Sequence, residues 1–132
     1  MEHEQAFVKA FIAPANRARF IHFLPDPKRR QEVLRRLDHA LPYLRDLAEV
    51  LSSEQDYPAE LEKLLKAKGA GPTCHLMASG MKEDGRTLPL KEALMRVCMQ
   101  EFGAVISCIP GRLAYYRPES PGPGILFSRT RG

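Results

Sequence analysis

Cys108 and His75 are the residues of this chain with the most chemistry to offer. A thiol beside an imidazole becomes a nucleophile once the base lowers its pKa. Cys108 lies in the run Ser107–Arg117, SCIPGRLAYYR, and His75 lies in TCHLMA. Ile109-Pro110-Gly111-Arg112 has the residue types of a type II turn, with proline second and glycine third, where φ is positive. A two-residue hairpin built on it sets Cys108 opposite Leu113 and Ile106 opposite Tyr115 on one side. Ser107, Ile109, Arg112, Ala114 and Tyr116 then share the other, less apolar side, which is expected to meet solvent. That register points Cys108 at apolar neighbours, where its thiol stays protonated and inert. An enzyme using Cys108 or His75 is therefore the alternative reading, and it requires a different register.

Other catalytic or ligating patterns are weaker. His3, His22, His39 and His75, with Cys74, Cys98 and Cys108, include no CxxC, HxxxH or HExxH spacing, so no metal and no cofactor is expected. Cys74 and His75 are adjacent and point to opposite faces of a strand. The acid pairs Glu83-Asp84, Glu60-Glu62 and Glu54-Asp56 fall in polar loops or helix starts, where acids serve as caps and dipole partners. GAGPT lacks the lysine and the strand–loop–helix order of a phosphate loop.

The strongest signal is basic. In PDPKRRQEVLRRL and the four residues after it, a 100° projection buries Val33, Leu34, Leu37 and Leu41 and leaves Lys28, Glu32, Arg35 and His39 opposite, flanked by Arg29 and Arg36. A solvated helix face with Lys28–Glu32 and Glu32–Arg36 pairs accounts for most of this. It does not account for Lys28, Arg29 and Arg30 in a first turn, where the helix dipole disfavours cations. Arg112, Tyr116 and Arg117 form a second basic-aromatic group able to hold phosphates or stack on bases. The net charge of +4 permits polyanion binding without demanding it.

The elements that must position these residues fall into two halves. Residues 1–71 read as helices: Phe7, Val8, Phe11 and Ile12 form one stripe, and Pro14 separates it from a second with Phe20, Ile21 and Leu24. Asp26-Pro27 starts a third helix, which ends or kinks near His39–Leu41 because of Pro42. YLRDLAEVL continues the helical spacing, and Pro58 opens a short helix closed by Gly69 and Gly71. Residues 72–132 read β-α-β-β-β: TCHLMA, then a helix from Pro89 to Gly103, then AVISCI, RLAYYR and GILFSR, with PESPGPG as a loop. Cys98 shares the apolar stripe of that helix with Leu94 and Phe102.

The expected fold is α+β. N-terminal helices pack on one side of a small, mainly antiparallel sheet of about four strands, with one further helix, in a single domain over 1–132. Three odd, scattered cysteines, no apolar run of spanning length and no secretory leader suggest a cytoplasmic protein without membrane contact. The run ISCIPGRLAYY, with DGRTLPLKEAL and AFIAPANRARF, resembles a group of small bacterial proteins of uncharacterised function. The resemblance implies no activity, cofactor or site residue.

The functional expectation is a non-catalytic binding or regulatory module. It contacts a protein or polyanion through Lys28, Arg29, Arg35, Arg36, Arg112, Tyr116 and Arg117. Nucleic acid is a less favoured partner, and homodimerisation through an exposed sheet face is a third reading.

Overall fold

The computed structural model describes residues 2–119 and 122–129. Residues 120 and 121, within the expected PESPGPG loop, lie outside the described residues. Apolar spacing sets the N-terminal helices, with a proline opening the second: α1 (Glu2–Phe11), α2 (Pro14–Phe23) and α3 (Arg30–Asp38). There follow β1 (Ala48–Val50), α4 (Pro58–Ala67), β2 (Thr73–Ala78), β3 (Thr87–Pro89) and α5 (Leu90–Cys98). The chain ends in β4 (Ala104–Ile109), β5 (Leu113–Arg117) and β6 (Ile125–Ser128).

The six strands form one antiparallel sheet in the order β1-β6-β5-β4-β2-β3. This corrects the expected four strands at both edges. YLRDLAEVL, expected as helix, becomes a 3-10 turn at Arg45–Leu47 and then β1, which pairs Ala48–Val50 with Ile125–Phe127. Its apolar residues recur at helical spacing, but the open edge of β6 offers the backbone a ladder, and that tertiary pairing prevails. Thr87–Pro89 pairs with Thr73–His75 on the other edge, where a proline is tolerated because no neighbour needs its missing N–H.

Helices cover both faces, not the expected one. Against α1–α3 the sheet presents Met77, Val105, Ala114, Tyr116, Ile125 and Phe127. Against α4 and α5 it presents Leu76, Ala104, Ile106, Leu113, Tyr115 and Leu126. Central strands buried on both sides read as continuous apolar runs, and AVISCI is one.

The β4–β5 turn forms as its residues dictate: Arg112 N–H donates to Ile109 O at 2.9 Å and Gly111 has φ +72°. Ile106 pairs with Tyr115 and Ser107 with Ala114, but Ile109 pairs with Leu113, leaving Cys108 in a bulge. The bulge moves Ile109 to the α4–α5 side, a correction to its expected facing.

At the other end of β4, Gly103 lets the backbone of α3 approach. A Cβ there would lie 2.0 Å from Leu37 O. Gly103 N–H donates to Asp38 Oδ1 at 2.7 Å, and Tyr116 Oη donates to Leu37 O at 2.7 Å. The carboxyl end of α3 is thus fixed to the sheet. α5 stops at Cys98, earlier than expected, so Phe102 falls outside the helix and stands 52% exposed.

Candidate functional site: a basic helix surface and a closed ionic cluster

The cations at the start of the basic helix divide into two groups. Asp26 O accepts the N–H groups of Arg29 and Arg30 at 3.0 and 2.8 Å, and Asp26 Oδ1 accepts Lys28 N–H at 2.9 Å. Asp26-Pro27 therefore makes a turn, and α3 begins at Arg30, later than the sequence signal suggests. Lys28, Arg29 and Arg35 point outward and are exposed, while Arg30 turns inward. The Arg29 guanidinium lies 4.0 Å from the ring centre of Phe23 on α2 and pairs with Glu32 at 3.0 Å. Arg36 lies 5.9 Å from the Phe20 ring centre and donates from Nε and Nη2 to Ala40 O at 3.2 and 3.1 Å. It closes the end of α3, where Ala40 adopts φ +61°. Exposed cations thus extend from α3 onto α2, which adds Arg19.

Arg30 anchors a cluster that sequence spacing does not reveal. Nη1 and Nη2 donate to Glu4 Oε1 and Oε2, both at 2.7 Å. Nε and Nη2 donate to Asp84 Oδ2 and Oδ1 at 2.8 and 2.9 Å, and Nη1 also reaches Leu24 O at 3.1 Å. All five guanidinium N–H donors are used. This explains a cation at the start of a helix: two carboxylates, not solvent, neutralise it.

His75 Nε2 donates to Glu4 Oε2 at 2.7 Å from β2. His3 stacks on His75 with ring centres 5.5 Å apart, and its Nδ1 lies 2.7 Å from Ser107 Oγ in a hydrogen bond. Burial alone would raise the Glu4 pKa, but hydrogen bonds and charge from Arg30 and His75 outweigh it and lower the value from 4.5 to about 2. Burial lowers that of His3, with the nearby His75 adding to the effect. The cluster joins α1, α3, β2, β4 and the loop at Asp84, and its central carboxylate and hydroxyl are closed to solvent, with Glu4 0% and Ser107 1% exposed.

Cys108 and His75 are not brought together. His75 points towards α1, whereas Cys108 sits with Cys74 on the α4–α5 face. Burial pushes both thiols up to about 12, and burial also raises Cys98. Among the described residues no group of three His, Cys, Asp or Glu side chains could hold a metal ion.

The hairpin residues separate three ways. Arg112 is exposed at the turn. Tyr116, expected to face solvent, is only 2% exposed beneath α3, because α1–α3 cover the side of the sheet that the sequence reading left open. Arg117, at the far end of β5, pairs with Asp56 at 3.2 Å and donates to Tyr115 Oη at 3.0 Å. Tyr115 in turn donates to Asp56 Oδ1 at 2.5 Å, and Gly124 N–H to Asp56 Oδ2 at 2.8 Å. The Arg117 group is therefore internally satisfied.

Fold and surface together define an α+β protein with a six-stranded antiparallel sheet, a sealed ionic cluster and exposed cations on α2–α3. No helix among the described residues is long and apolar enough to cross a membrane. No family model, no curated protein and no solved structure matches the chain.

Proposed function

We propose that this protein is a non-catalytic binding module that engages an anionic partner through the α2–α3 surface. The observation carrying this reading is the outward array of Lys28, Arg29 and Arg35, continued by the half-buried Arg36, with the Arg29 guanidinium 4.0 Å from the Phe23 ring centre. Planar guanidinium groups restrained in this way lose less entropy on meeting carboxylate or phosphate. Among the described residues Glu32 pairs with this array, and it engages Arg29 alone. Of the hairpin residues, Arg112 remains available to a partner, while Tyr116 and Arg117 are occupied within the fold.

The test is retention on immobilised heparin, and binding in solution, as a function of salt. The triple variant Arg29→Gln, Arg35→Gln, Arg36→Gln should weaken binding and flatten its salt dependence, because fewer counterions are exchanged. Wild-type binding that is absent at low salt, or unchanged in the triple variant, would remove this surface from the reading.

A further inference from the structure

We infer that the β4–β5 turn end of the sheet is a second anion site, built for a small molecule carrying several phosphates. Two adjoining cavities of about 320 and 310 Å³ open there. Lys68, Arg112, Ser128 and Arg129 line one, and Lys9, Arg112 and Arg129 line the other. Among the described residues no carboxylate lines either cavity. Among the described residues none of these four cations forms an ion pair. Lys63, Lys66 and Arg96, by contrast, pair with Glu60, Glu62 and Glu92.

The fold, not a run of basic sequence, assembles the group. Gly111 brings the turn onto α1, its hydrogen facing Ala6 O and the Ala6 and Ala10 side chains at a distance where a Cβ would sit 3.5–3.8 Å from them. That contact sets Arg112 beside Lys9. Arg129 N–H donates to Arg112 O at 2.8 Å, and Arg129 Nη1 donates to Ala10 O at 3.3 Å, which positions the second guanidinium. Lys9 and Lys68 end helices, where the dipole by itself favours a cation. Arg112 and Arg129 have no such reason to be there, and they are the pair both cavities share.

Charge spread over two adjoining concavities suits a chain of phosphates better than a single one, since guanidinium and ammonium donors can then meet separate oxygens. Each cavity is at the small-molecule end of ligand-site volumes, which favours a compact ligand over a long polymer. The site lies at the opposite end of β4 from Gly103, where α3 docks, so it is separate from the α2–α3 surface and the two can be tested apart.

Inorganic tripolyphosphate is the probe, titrated calorimetrically into the full chain at low salt. A single-stranded DNA of about ten nucleotides is the comparison. The inference expects tripolyphosphate to bind and Lys9→Gln/Arg112→Gln, both exposed positions, to weaken it by about tenfold or more. Arg29→Gln/Arg35→Gln should leave that affinity unchanged. Absence of tripolyphosphate binding, equal binding by the Lys9/Arg112 variant, or binding by DNA alone would each overturn it. Loss caused only by the α3 variants would overturn it while leaving the α2–α3 reading in place.

Discussion

Replacing Glu4 by glutamine tests whether the buried ionic cluster holds the N-terminal helix to the sheet. The side chain is fully buried and touches Arg30 and His75. Its pKa, about 2 in the fold against 4.5 when free, corresponds to about 3 kcal/mol of stability that only the ionised carboxylate supplies. Breaking a buried pair from one side costs about 3–5 kcal/mol. Asp84 still neutralises Arg30 in the variant, so the lower end applies, and about 3 kcal/mol at pH 7 is the expected loss. Because the folded pKa is depressed, this contribution is complete above pH 4.5, declines as pH falls below it and is gone near pH 2. Urea unfolding of wild type and Glu4→Gln between pH 7 and pH 2.5 should therefore give a stability difference that narrows across that window. Subtracting the two curves cancels carboxylates common to both. A variant as stable as wild type at pH 7, or a difference that stays constant with pH, would refute the reasoning.

Gly103→Ala should cost about 3 kcal/mol or more in thermal or chemical unfolding, since its Cβ would collide with the Leu37 backbone and α3 would have to move. A loss within 0.5 kcal/mol, the range ordinary for surface changes, would contradict the close approach. Native-state thiol labelling near pH 8 should be slow at Cys74 and Cys108, both buried with pKa values of about 12, and faster at the half-buried Cys98. Rapid modification of Cys108 in the folded protein would revive the nucleophile reading.

Much of the scaffold is legible because local chemistry and tertiary structure agree. Pro14 and Pro58 begin helices where the apolar stripes begin, and Ile106–Tyr115 pairing follows from Pro110-Gly111. The second helical layer was hidden by reading Ser107, Arg112 and Tyr116 as a polar face, although AVISCI lacks the alternation of a half-solvated strand. Residues 43–50 misled because a three-residue edge strand is too short to override helical spacing in the sequence. The ionic cluster joins positions 4, 30, 75 and 84, and Glu4 alone looks like an ordinary acid at a helix start. Its one trace was Arg30, a cation placed where the helix dipole opposes it. Of the cations at positions 9, 68, 112 and 129 only Arg112 stands out in the sequence, since it is the fold that brings the four together.

The Glu4 cluster also orders events during synthesis. Chains emerge amino end first, at about 5–20 residues per second. Glu4 meets its first cation at Arg30, but His75 and Asp84 follow much later, and His3 finds its hydroxyl only at Ser107. Until β2 and β4 have been made, burying α1 would place a carboxylate in an unfinished apolar layer. α1 is thus expected to be kept in water by its own charge and to dock only after β2 and β4 have been made.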